Sequence, residues 1–74
     1  MRLSDLKAGE IGRITSVSAD SRLRVRLLEM GLVPGTRVAV RKVAPLGDPM
    51  DLWLRGYALT IRRDDATCVK VESL

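Results

Sequence analysis

Between Arg26 and Pro49 the chain reads RLLEMGLVPGTRVAVRKVAPLGDP, and this stretch restricts the fold more than any other. Glu29-Met30-Gly31-Leu32 has the form of a helix ending, because Gly31 accepts the left-handed conformation that lets the last carbonyls find donors. Val33 precedes a proline and is held extended. Pro34-Gly35 suits the central positions of a type II turn, proline presetting φ and glycine accepting a positive φ. A strand follows in which Val38 and Val40 share one face and Arg37, Ala39 and Arg41 the other. Ala44-Pro45-Leu46-Gly47-Asp48-Pro49 stops it, since prolines at this density cannot continue a hydrogen-bonded ladder. Helix, tight turn and strand follow in that order. None of these residues is a catalytic group.

The flanking segments extend the pattern. Ser4-Asp5-Leu6-Lys7 and Gly9 suit a capped single turn before a first strand near Glu10 to Val17. Ile11 and Ile14 differ in parity and cannot share a face of a regular strand, so Gly12 is the candidate site of a bulge. Asp20-Ser21 offers N-cap chemistry to a helix from Arg22 to Met30. On it Leu23, Leu27 and Met30 form a core-facing stripe, while Arg22, Arg26 and Glu29 share a solvated face. Val25 and Leu28 form a second apolar patch, covered either by a loop of the chain or by a partner.

After the APLGDP loop, Met50, Leu52 and Leu54 alternate inward and Trp53 points outward. Arg55-Gly56 suits a two-residue hairpin into a strand from Tyr57 to Arg62, with Leu59 and Ile61 facing the core. Asp64-Asp65-Ala66 reads as a polar turn. A last strand near Thr67 to Glu72 puts Val69 and Val71 inside and Cys68, Lys70 and Glu72 outside. The fold class is mainly β: about five short antiparallel strands closing into a small barrel, with one helix inserted after the first strand.

At 74 residues the chain is read as one domain, 1–74, near the lower size at which a core suffices without staples. The one cysteine, Cys68, forms no internal disulfide, and Asp5 interrupts the place where a signal peptide would be apolar. With no apolar run near the ~20 residues of a membrane span, a cytoplasmic protein is expected.

The catalytic repertoire is narrow. Histidine is absent, so neither a Ser-His pair nor a Cys-His pair exists, and no enzyme is expected. One cysteine and scattered carboxylates give no tetrahedral zinc set and no facial iron triad, so no resident metal or cofactor is assigned. Asp48, Asp51, Asp64 and Asp65 lack the spaced loop of a hard-cation site.

A net charge of +4, with ten arginines among 13 basic residues, makes nucleic acid the alternative ligand class. Against it, Arg24 lies about 160° around the helix from Arg26, at about 100° per residue. Only Trp53 and Tyr57 are available to stack bases. An outward Trp53 marks either a binding interface or packing against a neighbouring strand or loop.

Taken together, Arg26-Leu27 with Glu29-Met30-Gly31-Leu32, Pro34-Gly35-Thr36 and the run Ala44 to Pro49 resemble the signature of the FeoA family, the small cytosolic proteins of bacterial ferrous-iron uptake. Leu59 to Arg63, Ala66, Val69 and Val71 are similar to that family as well. The resemblance implies an SH3-like barrel and a regulatory or protein-binding role beside FeoB, the membrane iron permease with a cytosolic GTP-binding domain. Iron(II) would then be the cargo of the pathway and not a ligand of this chain. The expected docking surface combines Val25, Leu28 and Leu32 with Pro34 and Gly35, the loop of Pro45, Leu46, Gly47, Asp48 and Pro49, and Trp53. A homo-oligomer through Trp53 or a strand edge is the third possibility.

Overall fold

The computed structural model describes residues 1–74. Its strands are β1 (Ile11–Val17), β2 (Arg37–Val43), β3 (Met50–Leu54), β4 (Tyr57–Ile61) and β5 (Val69–Ser73). Helix α1 (Ser21–Glu29) follows β1, and a one-turn helix α2 (Arg63–Ala66) lies between β4 and β5. One sheet in the order β4-β3-β2-β1-β5 holds all five strands, every neighbouring pair antiparallel. Only β3 and β4 are joined by a two-residue turn, which can connect none but antiparallel neighbours. At that hairpin Arg55 (φ 50°) and Gly56 (φ 84°) both take the positive φ that matches the twist of the strands.

Inward residues of all five strands meet in one core: Ile14 and Val17, Val38 and Val40, Met50, Leu52 and Leu54, Ile61, and Val69 and Val71. Leu3 and Leu6, Leu27, Leu32 and Ala66 close it from outside the sheet. The alternation expected of β2, β3 and β5 is present.

Asp20 caps α1, its carboxylate accepting from the Leu23 N–H at 2.9 Å. At the other end the Leu32 N–H donates to Leu27 O and the Gly31 N–H to Leu28 O, with Gly31 at φ 99°. These two bonds form a Schellman ending, which brings the residue after the glycine against the helix. Leu32 is therefore packed with Leu27, and both are completely buried. Thr36 N–H then closes the Pro34-Gly35 turn onto Val33 O at 3.0 Å.

Four expectations are corrected. The bulge falls between Ile14 and Ser16 against β5, not at Gly12. There it restores Val17 to the inside, whereas Ile11 simply faces out, 44% exposed. Gly12 is needed for room, since a Cβ there would meet Val71 and the Glu72 carbonyl at 3.2 Å. The turn at Leu3–Asp5 is capped by Asp5, which accepts from the Arg2 N–H, and Ser4 is buried. Asp64-Asp65-Ala66 is a helical turn whose Ala66 enters the core. Cys68 precedes β5 instead of lying on it, and packs half-buried against the core.

Candidate protein-docking surface

The residues assembled from sequence divide between two sides of the molecule. Val25 is 52% exposed on the solvent side of α1. Leu28, its expected partner, is half-buried and packs on the core. It lies about 100° from Leu27, on the margin of the same apolar arc, so the core stripe is broad and takes it in. Leu32 is buried, for the reason given by the Schellman turn, and drops out of the contact surface. Pro34 and Gly35 are exposed, and their turn is tied to β1 by the Gly35 N–H donating to Ile14 O at 2.7 Å.

In the Pro45–Pro49 loop the Gly47 N–H donates to Ala44 O at 2.7 Å, a turn with proline second and glycine fourth. The turn leaves Leu46 at the tip, 95% exposed. The loop is anchored rather than loose. Asp48 accepts from the Arg63 N–H at 3.0 Å and so caps α2 from 15 residues away. The Arg63 side chain also lies against Gly47, where a Cβ would come within 2.9 Å of its guanidinium.

On the other side of α2, Asp65 pairs with Arg26 of α1 at 3.4 Å. Helix α2 thus joins the solvent side of α1 to the APLGDP loop. Between α1, β4 and α2 runs a cleft of about 530 Å³ lined by Arg26, Met30, Ile61, Arg62 and Asp65 among others. Arg62, Arg63 and Asp65 were outside the residues expected from sequence. The placement of Arg63 and Asp65 depends on pairings 15 and 39 positions apart that no local pattern announces.

Trp53 belongs to neither feature. It projects from the outer face of the sheet, 44% exposed, with the Arg41 guanidinium 5.5 Å from its ring centroid. Leu27 and Leu32 cover the inner face, so Trp53 and Val25 do not share a surface.

The basic residues of α1 also part company. Arg24 donates from Nε to Val17 O at 3.3 Å, and Arg26 turns to Asp65. They form no stripe for a phosphate backbone. No cluster of three or more Cys, Asp or Glu side chains converges, and no helix is long and apolar enough to cross a membrane. The arrangement offers shape, apolar contact and fixed charge.

The model of the FeoA domain matches residues 1–73. A curated relative from Porphyromonas gingivalis, an Fe(2+) transport protein A/Fe(2+) transporter FeoB fusion protein, is 40% identical over 72 residues, 97% of this chain. The chain spans only 8% of that relative's length. The FeoA protein of Chlorobium tepidum superposes with a TM-score of 0.91 at 44% identity, over 100% of this chain and 70% of that one. The zinc-complexed FeoA of Stenotrophomonas maltophilia, an SH3-domain protein, gives 0.85 at 28% identity over 97% and 89%. The five-stranded sheet with its inserted helix is the SH3-like fold of these structures.

Proposed function

The chain belongs to the FeoA family, whose domain is non-catalytic, and from that premise we propose that it is an accessory protein of ferrous iron transport that docks on the cytosolic GTP-binding part of the permease FeoB. The observation that carries this reading is the covalent fusion of a 40% identical FeoA domain to FeoB in the P. gingivalis protein. A fusion holds two domains at an effective concentration that a separate chain must match by affinity, which calls for a built docking surface.

The surface that fits is the side where α2 joins α1 to the APLGDP loop. Val25 and Leu46 are its exposed apolar side chains, and Arg26, Arg62 and Arg63 supply positive charge around them. Two anchors, Arg26–Asp65 and Arg63–Asp48, hold the parts in place before a partner arrives, which lowers the ordering cost of binding. Docking there would alter the permease's nucleotide cycle or gate, while iron passes through the permease and not through this chain.

The test measures binding of the fluorescently labelled chain to the permease's soluble GTP-binding domain by anisotropy, with GDP and with a non-hydrolysable GTP analogue. Saturable binding that V25D and L46D each weaken supports the reading. Binding indifferent to both substitutions, or none to the full-length permease in detergent, overturns it.

A further inference from the structure

The outer face of the sheet carries an apolar row that the fold does not use. Register places Ile11 opposite Ala39, Ala39 opposite Trp53, and Trp53 opposite Ala58. The Leu74 N–H donates to Ile11 O at 3.0 Å, which extends the row to the β5 edge. Ile11, Ala39, Trp53 and Ala58 therefore cross β1 to β4 in sheet order, and Leu74, just past the end of β5, continues the row, a stripe of about 19 Å at ~4.8 Å per strand. Leu74 is 51% exposed and Ile11 and Trp53 44% each. Cross-strand alignment of this kind, on a face that buries nothing, exceeds the scattered apolar exposure usual for a surface.

The banks of the stripe are basic. Arg13 and Arg37 are paired on neighbouring strands, and Arg55 follows at the end of β3, while Arg41 flanks the other side over Trp53. Arg13 is answered by Glu72, but Arg37, Arg41 and Arg55 pair with no carboxylate. Arg55 donates only to the Thr36 hydroxyl.

We infer that this face binds an acidic polypeptide segment carrying apolar side chains, the carboxylates meeting Arg37, Arg41 and Arg55 and the apolar groups lying along Ile11, Ala39 and Trp53. Charge excludes a second copy, since two such faces would oppose arginine to arginine. Nucleic acid fits less well, because the stripe is mostly aliphatic and Arg41 already occupies one face of the single outward indole.

This surface presupposes the docking reading only for the class of partner, and it is built from residues other than those of the α2 side. Random peptides of about twelve residues, twice the extended length that spans the stripe, are displayed on phage and selected against the immobilised full chain. Enriched sequences are then synthesised and titrated while the emission of Trp53, the one tryptophan, is followed. The expected result is enrichment of Asp or Glu flanking Leu, Ile or Phe, a blue shift of Trp53 on binding, and loss of about tenfold or more in affinity in each of R37E and A39E. Circular dichroism checks that both variants fold.

No enrichment, enrichment of neutral or basic peptides, or affinity indifferent to A39E overturns the inference. So does a salt-sensitive Trp53 response to single-stranded RNA that R37E abolishes, or a dimer in sedimentation that A39E dissolves. Failure here with permease binding intact on the α2 side removes this surface and leaves the adaptor reading standing.

Discussion

The hydroxyl of Tyr57 donates to the carbonyl of Met30, directly over the α-hydrogens of Gly31. One side chain from β4 thus finishes the helix ending begun by the Schellman bonds, and it can reach only because residue 31 lacks a Cβ. Gly31→Ala adds the left-handed cost, about 1–2 kcal/mol, and drives a methyl into the Tyr57 hydroxyl. The expected loss is about 2 kcal/mol, read as a fall of about 10 °C in Tm. Tyr57→Phe alone costs about 0.5–1 kcal/mol as a half-exposed hydrogen bond. In the double variant the two losses sum to less than their separate values, because the phenylalanine no longer obstructs the methyl. Strict additivity would show that the two residues are independent.

Asp20 is the sole side-chain cap of α1, and the helix has no acidic residue in its first turn to compensate. Asp20→Ala is expected to cost about 1 kcal/mol, and Asp20→Ser to recover most of it. Urea denaturation with an unchanged m-value would check this.

Val25 and Leu28 separate binding from folding. Val25→Asp places a charge where water already is, so stability stays within about 0.5 kcal/mol while permease affinity falls. Leu28→Asp puts a carboxylate against the core and is expected to lower stability by about 2 kcal/mol or more. Paired thermal melts and binding curves distinguish the two. A Val25→Asp variant that melts early would place Val25 in the packed interior of the fold.

Asp48 acts at a distance from its own loop. Asp48→Asn keeps an acceptor near the Arg63 N–H but loses the charge at the α2 terminus, and Asp48→Ala loses both. Stability should fall by less than about 1 kcal/mol for the exposed bond, with affinity for the permease domain falling in the order wild type, Asn, Ala. Equal affinities would show that the loop needs no anchor.

What could be read from sequence is what period and local turn chemistry determine. Val38 and Val40, Leu52 and Leu54, and Val69 and Val71 alternate with a period of two, and Gly31, Pro34-Gly35 and Arg55-Gly56 specify backbone angles that few other residues accept. The inward faces of these strands, the helix ending and the β3–β4 hairpin follow from these. The bulge inferred from the parity of Ile11 and Ile14 had the wrong cause, since Ile11 faces out; the one present, between Ile14 and Ser16, reconciles Ile14 with Val17 instead. Leu32 was misplaced because a residue after a helix-ending glycine looks like loop, although the Schellman geometry turns it inward. Trp53 pointed outward as parity required. That the outward face also aligns Ile11, Ala39 and Leu74 depends on strand register, which no one strand contains. Arg26–Asp65 and Arg63–Asp48 were invisible for a simpler reason: in sequence they are ordinary surface charges.

The most direct measurement is a nuclear magnetic resonance titration of the isotope-labelled chain with the permease's soluble GTP-binding domain, with and without guanine nucleotide. Docking through the α2 side predicts that amide shifts gather at Val25, Arg26, Pro45 to Asp48 by way of their non-proline neighbours, and Arg62 to Asp65, with the Trp53 indole resonance unmoved. Shifts confined to Ile11, Ala39 and Trp53 would move permease docking to the outer sheet face and contradict the α2 surface. The absence of shifts at saturating partner, repeated with the full-length permease, would contradict the adaptor itself.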